Sequence, residues 1–340
     1  MGDELDEVRL VAALRAALQE EGAPASSTAA SSMALVRAPG RVNLIGEHID
    51  YHGFAVLPMA LEQHVAIAVG KHAPGASRAP GRHVTVRNID GRYPGTHVLS
   101  LDEAEGWRVG SGGLQWSDYA RCALKGVLAH PRCAHCTHDQ LDGLVLVVHG
   151  RVPPAAGLSS SSAMVVASAL AFLWALDIAL EPTDLAQLCI DCERLIGTAG
   201  GGMDQSASIL ADVGKALYIE FEPTLLATPV PLPEDAVFVI ANSLVVAEKA
   251  QAAFKHYNLR VVEGRLAIAL LGKSLGLQLQ EWSALRTLHA LDQALREKGP
   301  EGTYTSRFRE LDSIMSLLGE RVDRTNIQFT FVIDRQAPAL

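Results

Sequence analysis

The sequence is poor in several things at once. Aromatic residues make up 5% of its 340 residues, cysteines number five, and no stretch is rich in Lys and Arg. Five cysteines is an odd count and too few for a disulfide-built secreted scaffold. A formal net charge of −9 without any basic run does not indicate a polyanion-binding surface, so no nucleic-acid partner is expected. No Asn-x-Ser/Thr sequon occurs, and the acidic, helix-like start Met1 to Glu21 resembles neither a signal nor a transit peptide, so a cytoplasmic protein is expected. The longest apolar run, Ala163 to Leu180, falls short of the roughly 20 residues that a membrane span needs and carries Ser168 and Asp177. It reads as a helix buried on most sides, and no membrane partner is expected. Gly-x4-Gly-Lys-Ser/Thr, Asp-Phe-Gly and His-Arg-Asp are all missing, which excludes a Walker A loop and argues against a protein-kinase fold.

What is present is ordinary for a globular chain: 49% hydrophobic and 20% charged residues. The length suggests two domains. Residues 1–21 read as an amphipathic helix and Gly22 to Ser32 as a small-residue linker. Short β-branched runs (Ala55 to Met59, Val65 to Val69, Leu144 to Val148) read as strands, as do Ala216 to Phe221 and Ala236 to Ala241. Helical spacing covers Trp116 to His130, Thr183 to Ile196, Val261 to Leu275 and Leu279 to Lys298. Gly75 to His83 reads as a loop. Beyond Gly299-Pro300 only a helical pattern at Phe308 to Leu318 and a strand-like run at Phe329 to Ile333 stand out.

Three constellations carry chemistry. Pro153 to Ser162 (PPAAGLSSSS) follows a strand and opens the apolar helix. A strand, a Gly/Ser loop and a helix N-terminus form an anion-binding arrangement, because the first turn has unpaired N–H groups and the helix dipole adds positive charge. The same serines could equally be a plain helix cap. Arg37 to Tyr51 (RAPGRVNLIGEHIDY) puts Glu47, His48 and Asp50 on a short turn after Arg41. Carboxylates and an imidazole suit a polyhydroxylated ligand, although a metal set or a solvated turn would look similar. Glu193 precedes Gly200-Gly201-Gly202-Met203-Asp204, where a tight backbone path brings Asp204 into position as a general base or charge stabiliser, or as the cap of a following helix.

Together these segments resemble the galactokinase branch of the GHMP small-molecule kinases, over about residues 34–290. The second matches that branch's sugar signature almost letter for letter. The first is similar to its Pro-x3-Gly-Leu-Ser-Ser-Ser-x-Ala loop, and Phe238 to Ser243 and Tyr257 to Glu263 agree further. The resemblance implies an α+β, two-domain GHMP kinase. Its parts would be a helix and linker (1–33), a ribosomal-S5-like N-terminal domain (34–225) and a ferredoxin-like C-terminal domain (226–340), with the site between the domains. It implies ATP and Mg²⁺, a small sugar as substrate, and a monomer. Glu47, His48, Asp50 and Tyr257 would bind the sugar. Asp204 would be the base, with Arg41 beside it. Gly157, Ser159, Ser160 and Ser161 would hold phosphates, with Lys249 near the nucleotide, and Ser161 with Glu193 would hold Mg²⁺. Galactose is the favoured substrate and N-acetylgalactosamine the alternative. A non-catalytic sugar-binding protein is a further one. The branch's Gly-rich third signature is missing, and its members run about a hundred residues further. The C-terminal domain is therefore expected to be incomplete. Cys133-x2-Cys136 and Cys189-x2-Cys192 invite a zinc reading, but 52 residues separate the pairs, and the second pair reads as core.

Overall fold

A computed structural model describes residues 2–20, 33–71, 81–104, 106–109, 113–241, 257–274 and 276–298. Its centre is a five-stranded sheet built from β1 (Met33–Ile45), β2 (Leu57–Lys71), β3 (His83–Asn88), β4 (Thr96–Ser100) and β5 (Leu144–Gly150). The strand order is β1-β2-β5-β3-β4, antiparallel except for the parallel β3–β5 pair.

Both faces of this sheet are covered, which explains why its central strands read as continuous apolar runs. Alternate residues serve opposite layers. Val65, Ile67, Val69, Leu144, Leu146 and Val148 face the main core, while Ala66, Ala68, Val145 and Val147 face α1 (Gly2–Glu20). Leu10, Leu14, Ala17 and Leu18 form the stripe with which α1 covers that second face. The ion pair Arg87–Glu20 (2.6 Å) and the contact of His149 Nε2 with Asp6 (3.3 Å) pin it at the rim.

The main core lies under α2 (Asp118–Ala129), α4 (Ser160–Ala175) and α5 (Pro182–Arg194), with the short α3 (His138–Leu141) between α2 and β5. Helix α4 is buried on nearly every side, as its composition predicts. Cys189 and Cys192 belong to this core. Among the described residues no group of metal-ligating side chains offers a zinc site, and no helix is long and apolar enough to cross a membrane.

Helix α6 (Met203–Leu210) leads into a hairpin of β6 (Lys215–Glu220) and β7 (Leu226–Pro231). The expected domain boundary at 225/226 falls at the turn of this hairpin. Val56 bridges to Ile219 and ties the hairpin to the turn before β2. The remaining helices, α7 (Asn258–Ser274), α8 (Leu279–Ala284) and α9 (Leu288–Lys298), share a small core of Ile268, Leu277, Leu291 and Leu295.

Two expectations are corrected. Residues 236–241 form no strand, and Val237 and Val239 are exposed. The helix expected over Leu279 to Lys298 is two helices. Leu285 is extended, and the Thr287 hydroxyl accepts from Ala290 N (3.1 Å), which restarts the helix as an N-cap does. The linker at 22–32, most of the loop at 75–83, Lys249, and the patterns at 308–318 and 329–333 lie outside the described residues.

Candidate active site

Arg41 is the hub. It stands on β1 just past a register shift at Pro39/Arg41 and is 5% exposed. Its Nε and Nη2 both donate to Asp204 Oδ1, at 2.7 and 2.6 Å, while Nη1 donates to the Gly157 carbonyl at 2.8 Å. Its backbone N–H reaches Leu158 O at 3.2 Å. One side chain therefore joins the third sequence constellation to the first. Burial opposes its charge, but the carboxylates of Asp204, Glu47 and Asp50 outweigh that and raise its pKa, so it is a permanent cation.

The loop that Arg41 holds has left-handed residues at alternate positions, Ala155, Gly157 and Ser159. Such alternation turns successive N–H groups to one side and makes an anion nest. Ser159 is the residue before α4. It caps nothing, and its buried Oγ has no hydrogen-bond partner. A buried hydroxyl left unpaired costs roughly 1–3 kcal/mol, and a ligand oxygen would satisfy it. The plain cap reading of the serines therefore fails at Ser159.

Ser161 and Glu193, the residues expected to hold Mg²⁺, make no direct hydrogen bond to each other among those seen. The hydroxyl that meets Glu193 Oε2 is Ser162, at 2.7 Å, and it lies 3.4 Å from Asp204 Oδ2. Gln205 Nε2 donates to the same Glu193 oxygen. Helical phase decides this: Ser160 and Ser161 line a cavity outside, and Ser162 turns inward.

Asp204 is the second residue of α6, which begins after Gly202. Asp50 braces this start from a 3-10 turn, Asp50–His52. Its Oδ2 accepts from Gly201 N (3.2 Å) and Met203 N (3.5 Å). The approach is so close that a Cβ on Gly201 would lie 2.2 Å from the Asp50 carbonyl carbon. Burial, and then the Asp204 charge, raise the Asp50 carboxyl pKa above its ordinary value. Glu47 and His48 are exposed on the same turn. Asn43 Nδ2 holds Glu47 (3.1 Å), and His48 Nδ1 is 2.8 Å from the Tyr51 hydroxyl. Tyr257 closes the group, with its ring centroid 5.6 Å from that of His48 and 5.4 Å from that of Tyr51. Asn258 clamps the glycine loop through Ala199 N (3.1 Å) and Gly197 O (2.6 Å).

A second compartment was not visible in the sequence. A cavity of about 260 Å³ opens beside the Gly157–Ser161 loop, lined by Tyr93, Trp116, Tyr119, Asn88, Arg92 and Met164. His97 stacks edge-on to Trp116 at 4.9 Å and lies 3.0 Å from Ser117 Oγ, which braces the wall. Burial, with Glu193 nearby, raises the Tyr119 pKa, so its hydroxyl keeps its proton. The one available signal was Trp116 and Tyr119, two aromatics three residues apart in a chain poor in them.

Comparison with known proteins identifies the family. The galactokinase galactose-binding signature matches residues 26–71, and the GHMP kinases N terminal domain matches residues 118–212. The chain is 36% identical over 184 residues to a galactokinase of Candida maltosa, covering 80% of that protein and 54% of this chain. The chain belongs to the galactokinase family. It is also 41% identical over 254 residues to a galactokinase of Dictyostelium discoideum, covering 74% of this chain and 48% of that one. The crystal structure of Lactococcus lactis galactokinase complexed with galactose superposes with a TM-score of 0.57 at 26% identity, covering 72% of this chain and 58% of that one. The α+β GHMP kinase fold is thereby shown. The chain spans about half the length of the Dictyostelium discoideum galactokinase and of a Schizosaccharomyces pombe galactokinase that it also matches.

Proposed function

We propose that this chain transfers the γ-phosphoryl group of ATP to the C1 hydroxyl of galactose, giving galactose 1-phosphate and ADP. The observation that carries the reading is the Arg41 side chain, which holds Asp204 with one edge and the Gly157 carbonyl with the other. A base and a phosphate loop are thus fixed side by side in one rigid contact. Phosphoryl transfer needs in-line placement and charge neutralisation more than covalent help.

In this reading the sugar lies against Glu47, His48, Asp50 and Tyr257, and its C1 hydroxyl faces Asp204. Glu47 and His48 are exposed and supply acceptor and donor groups for hydroxyls. Asp50 reaches the sugar while also holding the start of α6. Asp204 takes the hydroxyl proton as the C1 oxygen bonds to phosphorus and ADP leaves. Arg41 stabilises the charge that develops on the attacking oxygen. Gly157, Ser159, Ser160 and Ser161 hold the phosphates, and the aromatic cavity takes the nucleotide base.

Magnesium fits the residues present. Glu193 is a buried carboxylate at the foot of the loop, and Ser159 offers a buried, unpaired hydroxyl. Hydroxyl and carboxylate oxygens completed by phosphates suit Mg²⁺, which needs few protein ligands. Bound there, it would neutralise phosphate charge. Glu193 and Ser161 remain the proposed ligands, with Ser162 behind them.

The test is product identification. ³¹P NMR of the full chain with ATP, Mg²⁺ and either galactose or N-acetylgalactosamine should give a sugar 1-phosphate signal with galactose. A signal with N-acetylgalactosamine alone would move the substrate, and none with either sugar would end the reading.

A further inference from the structure

The fourth serine of the loop sits at the unspecified position of the Pro-x3-Gly-Leu-Ser-Ser-Ser-x-Ala pattern. It is 1% exposed, and its hydroxyl lies between two carboxylates. We propose that Ser162 is a positioning residue that locks the Glu193 carboxylate toward the phosphate loop and keeps it apart from Asp204. This rests on the phosphoryl-transfer reading above.

Three observations carry it. The terminal torsion of a glutamate is soft, so a lone carboxylate swings readily. Here one oxygen of Glu193 takes two donors from different helices, Ser162 on α4 and Gln205 on α6, and rotation would lose both. The groups around the pair are Arg41 on β1, Asp50 on the 3-10 turn and Tyr257 before α7, all of which interact with the Asp204 charge. Two carboxylates within reach of one hydroxyl repel, and repulsion is stronger in a buried setting than in water. The single Ser162 proton goes to the nearer carboxylate, Glu193 (2.7 Å against 3.4 Å to Asp204), and with Gln205 it fixes where that charge sits relative to Asp204. Ser162 touches neither substrate in this arrangement and works through Glu193.

Titration calorimetry on the full chain separates this role from a general packing role. Binding of a non-hydrolysable ATP analogue is measured with and without Mg²⁺, and galactose binding alongside. In Ser162→Ala, the gain in analogue affinity that Mg²⁺ confers should shrink about tenfold, equivalent to ~1.4 kcal/mol. Affinity without Mg²⁺ and affinity for galactose should stay within about twofold, while kcat falls at constant galactose KM. Ser162→Thr, which keeps the hydroxyl, should restore the gain. Alanine is a strong helix former, so the variant should fold. Should it melt, Gln205→Met, which removes the other donor to the same oxygen, reads the same quantity. An unchanged Mg²⁺ gain, or an equal loss of every affinity, overturns the proposal. A wild-type chain with no Mg²⁺ gain at all overturns the phosphoryl-transfer reading and this inference with it, before any substitution is made.

Discussion

The two ends of the site are built on opposite principles. The end around Arg41, Asp204, Glu193 and Asp50 is dense with buried charge, and its groups hold one another through hydrogen bonds of 2.6 to 3.5 Å. The end around Tyr93, Trp116 and Tyr119 is a cavity walled by aromatic and aliphatic side chains, with Asn88, Arg92 and the loop serines as its polar lining. Charge stabilises a reacting centre only when it is held still beforehand, and that requires a network. A flat base needs shape and apolar area, which three rings supply without a network. Arg41 and the loop it grips are the seam between the two ends.

The largest break comes at the seam. Arg41→Ala removes one partner of a buried ion pair and leaves Asp204 without its guanidinium. It should lower unfolding free energy by about 3–5 kcal/mol in denaturant titration. It should also cut kcat/KM for both substrates, because both ends lose their anchor. Arg41→Lys keeps the charge but loses the fork, and should recover only part of the stability.

A Cβ on Gly201 would sharpen the comparison from the charged side. Gly201→Ala forces the glycine loop off the Asp50 backbone and should cost about 1–3 kcal/mol, with kcat falling as Asp204 shifts. Nucleotide KM should change little, since the cavity is untouched.

From the apolar side, Trp116→Ala should raise nucleotide KM about tenfold and leave galactose KM unchanged, in line with roughly 1–3 kcal/mol for a base stacked on an aromatic ring. A matching rise in galactose KM would show that the two ends are not separable.

The smallest effect concerns Asp50. Its raised pKa means the folded chain holds the Asp50 proton more tightly than the unfolded chain does. Stability contributed by the protonated group is therefore present below the ordinary carboxylate pKa and is lost as pH rises through the raised folded value. Asp50→Asn keeps an acceptor for the Gly201 and Met203 amides and should flatten that slope in thermal unfolding between acid and neutral pH. A slope identical to wild type would remove Asp50 as its source.

The same contrast explains what the sequence made legible. Arg41, Asp204 and the Gly157–Ser162 loop were readable because each sits in a short run whose residue types have few uses together. The aromatic cavity was not, because Tyr93 lies apart in the chain from Trp116 and Tyr119, and the loop and strand residues that complete the lining come together with them only when β3, β5 and α2 pack. Ser161 and Ser162 could not be told apart, since the phase of the first turn of α4 decides which serine faces Glu193. The break at Leu285 was hidden for a similar reason. Apolar spacing runs on from Leu279 to Lys298, and only the Thr287 hydroxyl, bonded to Glu222 and to Ala290 N, interrupts it. The strands β2 and β5 were the easiest feature, because covering on both faces leaves each a short, continuous β-branched apolar run.

The most direct test of the account is galactose-dependent ADP release by the 340-residue chain, wild type against Asp204→Asn. The account predicts ADP release that requires galactose and falls by about 10²–10⁴ in the variant, the usual worth of a positioned base. The variant should keep its binding of galactose and nucleotide. ADP release that ignores galactose, or that survives in Asp204→Asn, would contradict it.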